Sequence, residues 1–461
     1  MIADTLTLEI AHGINDRSAR GIATAIGRMI SSGELVIGAQ LPTVRQLSRQ
    51  LGVSPTTVGE AWRSLAEVGA IETLGRNGSF VRLPTGPGGP RRYRQVAADS
   101  DHRGHFALDL STGTPDSSLL PDLRTALARV SSQALTSSYL DHPVLPQLEE
   151  ALRHRWPFVP EELTVVDGAM DALDRIAQVV VRLGDRVVVE HPTFPPLLDL
   201  LEQIGADVIG VDVDAEGMNV EALTAALDQK PTALFLQPRA QNPTGVTMTA
   251  QRAQQIAAAI VASGHSESIT IIEDDHAGDI AVGDLHSIGN YLPARTVHIR
   301  SYSKSHGPDL RLAAVGGAGD VISAAANRRL LGPGWSSRIL QAVLLELLDD
   351  QATLESLSHA RAEYSRRRQE VVQILNENKV FSTGTDGINL WVQVADERSA
   401  LMTLAAQGIG AAPGAPFLVN THPDSLRLTV GLLGPSVDLV ATAQAIASAA
   451  TISGSGRRGQ R

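Results

Sequence analysis

The sequence contains no cysteine in its 461 residues. That excludes disulfides, thiolate zinc sites and a cysteine nucleophile. Aromatic residues are scarce at 3%, so the cores must be built from Ala, Leu, Val and Ile. No apolar run approaches the ~18 residues of a membrane span. The opening stretch "MIADTLTLEIAHG" carries acidic residues and lacks the basic-then-apolar pattern of a secretory signal. A soluble, cytoplasmic protein with no membrane partner is therefore expected. Lysine is nearly absent as well: Lys230, Lys304 and Lys379 stand against 36 arginines.

What is present is unevenly distributed. The net charge is −11, yet residues 1–94 hold 11 Arg, no Lys and 7 Asp+Glu, which makes that segment +4 and the remainder −15. A basic module on an acidic body implies separate tasks for the two parts. The length exceeds one ordinary core, and 43% hydrophobic content is enough for several packed domains.

Four segments follow from composition and pattern. Residues 1–83 show apolar residues at helical spacing in "GIATAIGRMISSG", "TVRQLSRQLG" and "SPTTVGEAWRSLAEVG", then two short strands around "GRNG". Three helices and a hairpin in about eighty residues form a winged helix-turn-helix pattern. Residues 84–105 are rich in Gly, Pro and charge without a period, and read as a linker. From 106 to 450 the pattern alternates strand and helix, which predicts an α/β domain with a mainly parallel sheet. Within it, about 355–450 form a smaller α+β lobe. Residues 451–461 are expected to be a disordered tail.

In α/β sheets, ligands bind at the carboxyl ends of strands. The first such end is "VVDGAMDAL", where Gly168, Ala169 and Met170 start a helix and offer backbone N–H groups to a phosphate. "VEHPTF" ends on Phe194, which can stack on a planar ring. "LQPRAQNPTG" presents Asn242 on a turn. "IIEDDHAGD" places Asp274 and Asp275 at a strand end, and "SYSKSHGPDLR" supplies Lys304, two hydroxyls and Arg311. Taken singly, each has a bland reading: helix capping for Gly168, core for Phe194, a common turn for "NPTG", a salt bridge for Arg311. "EDDH" lacks a second ligand group at metal spacing, so no metal is expected. Jointly they meet the needs of one cofactor, pyridoxal 5′-phosphate. An imine requires a primary amine, which arginine cannot supply, and this explains why Lys304 is retained.

These residues resemble fold type I pyridoxal-phosphate aminotransferases over roughly residues 106–450, through "YLDHPVLPQL", "NPTG", "EDD" and "SYSKSHGPDLR" in that order. The resemblance implies Lys304 as the Schiff-base lysine and Asp274 as the pyridinium partner. It implies Asn242 and His276 at the ring hydroxyl, with Ser301, Ser303 and Arg311 at the phosphate. Tyr139 matches a tyrosine that reaches the phosphate across a homodimer interface, and Arg427 in "LRLTV" matches the arginine that grips a carboxylate. The N-terminal segment resembles GntR-type DNA-binding domains. There Arg45, Thr56 and Thr57 occupy DNA-contacting positions and Arg76 lies in the wing. The two domains in this order resemble the MocR branch of GntR regulators.

Several positions depart from those patterns. Pro55 and Gly59 stand where the DNA-binding family often has arginine. His276 and Phe194 each replace a more usual tyrosine, and Val144 replaces a frequent glycine. The resemblance implies a transcription regulator that binds double-stranded operator DNA and senses pyridoxal phosphate or an amino compound that forms an imine with it. A working aminotransferase with a DNA-binding extension is the alternative. A dimeric scaffold that holds cofactor for stability alone is a third reading.

Overall fold

The computed structural model describes residues 2–31, 34–36, 38–67, 70–73, 78–81, 91–97, 106–130, 142–264 and 267–452. The chain divides into two compact units, the first built on Met1–Arg91 and the second on most of the residues from Arg92 onward. Among the described residues, no helix is long and apolar enough to cross a membrane.

The first unit contains α1 (Ile2–His12), α2 (Ala19–Ser31), α3 (Val44–Leu51) and α4 (Pro55–Glu67), followed by β1 (Ile71–Thr73) and β2 (Ser79–Val81). The sequence reading missed α1. Its buried face includes Thr7 and Ile10, and a threonine at the first contact weakens the apolar period that would announce a helix. Helix α3 begins with a reciprocal capping box, in which the Gln46 N–H donates to Thr43 Oγ1 and the Thr43 N–H to Gln46 Oε1. It stops at Gly52, whose φ of 68° suits the left-handed turn. Ser54 then caps α4, accepting from the Thr57 N–H at 3.1 Å. This tight turn lets Leu47, Val58, Trp62 and Leu65 close one core with Ile22 and Ile26. Strands β1 and β2 pair antiparallel, Ile71 opposite Val81, and a bridge from Gln40 to Phe80 extends the hairpin. Residues 74–77 of the expected wing, including Arg76, and Val68 lie outside the described residues.

The second unit opens with α5 (Arg91–Ala97), β3 (Leu108–Asp109), α6 (Arg124–Val130) and α7 (Pro146–His154). Helix α5 falls within the segment read from sequence as an aperiodic linker. "RRYRQVA" has too few apolar residues to show a helical period, and its order comes from docking. The large domain continues with β4 (Glu162–Val166), α8 (Ala169–Val180), β5 (Arg186–His191), α9 (Pro195–Ile204), β6 (Asp207–Asp214), β7 (Gly217–Met218), α10 (Val220–Leu227), β8 (Ala233–Leu236), α11 (Ala250–Ala262), β9 (Thr270–Asp275), β10 (Thr296–Ser301), β11 (Ala313–Gly317), α12 (Gly319–Arg329) and α13 (Arg338–Asp349).

The eight strands lie in the order β4-β11-β10-β9-β8-β5-β6-β7. Strands β10, β9, β8 and β5 run parallel, while β11 is antiparallel to both β10 and β4, and β7 to β6. The buried parallel strands read as near-continuous apolar runs such as "VVVE" and "ALFL", as burial on both faces requires.

A long helix, α14 (Gln351–Glu377), leads to the smaller lobe of β12 (Ser382–Thr383), β13 (Leu390–Gln393), α15 (Glu397–Ala406), β14 (Ile409–Gly410), β15 (Ala412–Pro413), β16 (Ser425–Leu428) and α16 (Leu439–Ala450). Its sheet has the order β12-β13-β16-β15, antiparallel throughout. Strand β3 pairs parallel with β14, so the first residues of the body belong to this lobe, and Leu110 joins its core.

Candidate functional site

The parallel strands end on a common set of polar side chains. Alternation along β9 separates its three acids. Asp275 turns one way and pairs with Arg239 at 2.7 Å and Arg300 at 2.5 Å, which together hold its carboxyl far below the usual range despite burial. Glu273 accepts from Ser287 Oγ at 2.6 Å and from His298 Nδ1 at 2.9 Å. Asp274 turns the other way. Burial raises its pKa, opposed by nearby His276 and by a hydrogen bond from Gln237. Only one of its oxygens is engaged: Gln237 Nε2 donates to Oδ2 at 2.8 Å, while Oδ1 is buried without a partner. Among the described residues, no three His, Asp or Glu side chains converge as a metal set.

Gln237 fixes two neighbours at once. Its side-chain carbonyl accepts from the Asn242 N–H at 2.8 Å, and its own N–H donates to Glu190 Oε2 at 2.9 Å. Asn242 Oδ1 is a second buried acceptor without a partner. A small cavity lined by Phe194, Glu190, Gln237 and Asp274 places Phe194 beside this acid. Burial pushes the Glu190 carboxyl up to about 8, with Asp274 adding to the shift against opposing hydrogen bonds. The sequence reading missed both Glu190 and Gln237. The available signal was a polar residue closing an apolar strand, in "VVVE" and "ALFLQ".

His276 is half-buried and donates from Nε2 to the Ala240 carbonyl at 2.9 Å. That fixes the tautomer and leaves Nδ1 for any further contact. Burial lowers its pKa below the ordinary value, although Asp274 opposes the shift.

At the start of α8, Gly168 has φ +100°, and an added Cβ would meet Arg311 Nη2 at 3.2 Å. Glycine is therefore needed twice, for conformation and for the close approach of the guanidinium. Arg311, itself at φ 49°, donates to the Asp167 carbonyl at 3.1 Å. The N–H groups of Ala169 and Met170 lie in the first turn of α8. Ser301 is buried, and its Oγ accepts from the Ser303 N–H at 3.3 Å.

Lys304 follows β10. Lys230 and Lys379 are exposed, whereas burial, reinforced by Arg427 and opposed by Asp274, holds the Lys304 amine at about 8. The amine donates to the Gly113 carbonyl. Arg427 on β16 is 3% exposed, donates from Nη2 to the Ser111 carbonyl, and is lowered to about 10 by burial, opposed by Asp109. Lys304 and Arg427 thus meet on one backbone segment. The segment was not singled out from sequence, since nothing local marks a loop that packs on residues ~190 or more positions away. Tyr139 lies outside the described residues.

In the first unit, Arg45 and Thr56 are exposed, on α3 and in the first turn of α4. Thr57 is half-buried, and its hydroxyl lies 2.9 Å from Ser54 Oγ within the cap. Arg49 and Arg63 are exposed on the same two helices and were not among the expected contacts.

Comparison with known proteins extends this geometry. Residues 107–443 match the family described as aminotransferase class I and II, and residues 18–81 match bacterial regulatory proteins of the gntR family. The vitamin B6 salvage pathway transcriptional repressor PtsJ of Salmonella typhimurium is 33% identical over 430 residues, 92% of this chain and 96% of that protein. The HTH-type transcriptional regulator TauR of Rhodobacter capsulatus is 27% identical, over 88% of this chain and 91% of that protein. Among solved structures, the kynurenine aminotransferase of Pyrococcus horikoshii has a TM-score of 0.68 at 22% identity, covering 78% of this chain and 93% of that one. The aspartate aminotransferase of Thermus thermophilus with maleate has a TM-score of 0.68 at 21% identity, covering 83% and 98%.

Proposed function

The chain belongs to the MocR branch of the GntR regulators, a gntR-family winged helix joined to an aminotransferase class I and II domain, and on that premise we propose what it senses and how. The winged helix binds double-stranded operator DNA, and the body senses pyridoxal 5′-phosphate or an amino compound captured on it. The observation that carries this reading is a pair of buried acceptors without partners, Asp274 Oδ1 and Asn242 Oδ1, with the half-buried Lys304 within reach of the Asp274 charge. Buried polar atoms are rarely left unpaired, and a pyridinium N–H and a ring hydroxyl are the complements these two require. The Salmonella relative's role in vitamin B6 salvage favours the cofactor itself as the signal.

When bound, pyridoxal 5′-phosphate supplies an aldehyde that captures an amine and a ring that withdraws electrons. Gly168, Ala169, Met170, Ser301, Ser303 and Arg311 would hold its phosphate, and Tyr139 would complete that site across a homodimer interface. Phe194 would stack on the ring, and His276 would reach the ring hydroxyl through Nδ1. Lys304, held at about 8, has an unprotonated fraction near neutrality and is the nucleophile. Gln237 orients Asp274 so that Oδ1 stays available. A cation beside that oxygen would offset the burial that now raises the Asp274 pKa. Arg427 offers a fork suited to a carboxylate once it leaves the Ser111 carbonyl. In the first unit, Thr56, Thr57 and Arg45 would face the major groove or its phosphates, and Arg76 of the wing would meet the DNA backbone.

Operator affinity measured with and without pyridoxal phosphate, and with amino compounds added to it, tests the reading. A coupling of ~1–3 kcal/mol would change affinity 5- to 150-fold. The second reading, a working aminotransferase, draws on the same burial of Lys304, Asp274 and Arg427 in one site. Turnover near ~10 s⁻¹, with DNA binding indifferent to every ligand, would establish that reading instead.

A further inference from the structure

Helix α5 leads into the body, and its contacts converge on one turn of the small lobe. Arg92 Nη1 donates to the carbonyls of Leu418 at 2.8 Å and Pro416 at 3.3 Å. The carbonyl between them, that of Phe417, accepts from the Thr193 N–H at 2.9 Å, one residue before Phe194. On the other side of the same turn, Glu397 Oε2 accepts from the N–H groups of Gly414 and Ala415 at 2.8 and 3.0 Å. Three anchors thus fix five residues of backbone. One comes from α5 at the start of the second unit, one from the strand end beside Phe194, and one from the small lobe.

The turn carries one large side chain inward. The Phe417 ring is 1% exposed, and the Arg427 guanidinium lies 5.6 Å from its centroid. A cation over an aromatic face is attracted by the ring quadrupole, most strongly when water is excluded. Val96 of α5 packs against Trp391 and Phe417, and Trp391 is the register partner of Arg427 across β13 and β16. Arg427 is therefore packed on Phe417, in a cluster against which the same helix packs Val96 and whose backbone on either side of Phe417 that helix holds through Arg92.

Resting on the reading of Arg427 as the carboxylate grip, we propose that Arg92 is a positioning residue. By clamping the Pro416 and Leu418 carbonyls on either side of it, Arg92 sets Phe417 under Arg427, and it thereby ties occupancy of the carboxylate site to the seating of α5. Coupling is reciprocal. A ligand that draws Arg427 off the Phe417 ring loosens the clamp, and a shift of α5 moves the guanidinium. The boundary between the two units falls between Arg91 and Arg92, so the chain that would carry the signal passes through the clamp itself. A lysine at 92 keeps the charge but not the planar fork, and would satisfy the two carbonyls less well.

The test uses the scarcity of lysine in the full chain without cofactor. Reductive ¹³C-methylation labels Lys230, Lys304, Lys379 and the α-amine, and the Lys304 resonance is assigned by its loss in Lys304→Arg. Its titration midpoint reports the position of the Arg427 charge. Arg427→Ala should raise that midpoint by about one pH unit. Arg92→Ala and Phe417→Leu should each shift it, with Lys230 and Lys379 unmoved, and Arg92→Lys should recover part of the change. Arg427→Ala should also speed amide hydrogen exchange across residues 91–97. If Arg427→Ala moves Lys304 while Arg92→Ala and Phe417→Leu, shown folded by circular dichroism, leave it unchanged, the positioning role is wrong. If Arg427→Ala leaves Lys304 unmoved, the site reading beneath it fails as well.

Discussion

Lys304 and Arg427 hold the same short stretch of chain: the lysine amine donates to the Gly113 carbonyl and the guanidinium to the Ser111 carbonyl. The stretch is tied down from its other side, where the Gly113 N–H donates to Thr429 Oγ1 at 2.9 Å. Two groups assigned to different jobs, one to an aldehyde and one to a carboxylate, therefore share a backbone that either ligand must displace.

Gly113 has φ +65°, and an added Cβ would fall inside contact distance of Arg427 Nη1. Gly113→Ala should cost ~1–2 kcal/mol from the left-handed backbone alone, with further loss from displacing Arg427. Urea unfolding measures the first. Weaker binding of carboxylate-bearing amines, relative to the same amines lacking the carboxylate, measures the second. Unchanged stability would mean that Gly113 does not hold the left-handed conformation, and unchanged selectivity for the carboxylate would mean that Arg427 does not occupy this position.

Partial burial, with Arg427 nearby, lowers the Lys304 amine to about 8. Only its neutral form attacks an aldehyde. The rate of pyridoxal phosphate capture by the apoprotein should therefore rise about tenfold per pH unit below 8 and level off above it. Borohydride should fix the adduct on Lys304, and Lys304→Ala should abolish it. A rate that climbs unbroken to pH 10 would place the amine in an ordinary solvated setting.

Glu190 carries a folded-state pKa raised from 4.5 to about 8 by burial. The folded state then holds a proton that the unfolded chain has already lost, so stability falls as pH rises from about 4.5 to about 8 and is level beyond. The slope from this group is at most roughly 1.4 kcal/mol per pH unit. Glu190→Gln should flatten the stability profile across that window and leave the apoprotein more stable at pH 8. An unaltered profile would show that the carboxyl is ionised and solvated.

Arg45 is exposed in the first turn of α3. If it neutralises one phosphate, Arg45→Ala should lower the log–log salt slope of operator binding by roughly 0.9. If it reads a guanine instead, one position of the operator should relax by ~1–3 kcal/mol. Unchanged affinity and slope would remove it from the interface.

The parallel strands, their order along the chain and the polar residues at their ends were legible in the sequence, because buried strands and turn residues leave local marks. Gly168, Asp274 and Lys304 could each be found next to an apolar run. Elements whose order comes from distant contacts left no such mark. Helix α5 has its stabilising partners more than 300 positions away, at Pro416 and Leu418. Gln237 and Glu190 are single polar residues whose partners become visible only when β8, β9 and β5 lie side by side. The residues of "IIEDD" alone do not divide Asp274 from Asp275 by role; only the family resemblance chose Asp274, and its physical basis lay in distant residues. That division comes from Arg239 and Arg300 on the opposite side of the strand.

Helix α14 runs 27 residues, about 40 Å at 1.5 Å per residue. Its first half packs Ala360 and Tyr364 against Leu119 and Ile280, and its second half places Val371 and Leu375 in the small-lobe core. Between them Arg367 is buried, donating to Asp116 Oδ2 at 2.8 Å and to the Gly431 carbonyl at 2.5 Å. A rod seated at both ends cannot serve as a hinge. Any swing of the small lobe must carry this rod with it or break its packing at one end, so the residues around Asp116 and Gly431 that grip Arg367 move with the lobe that carries Arg427.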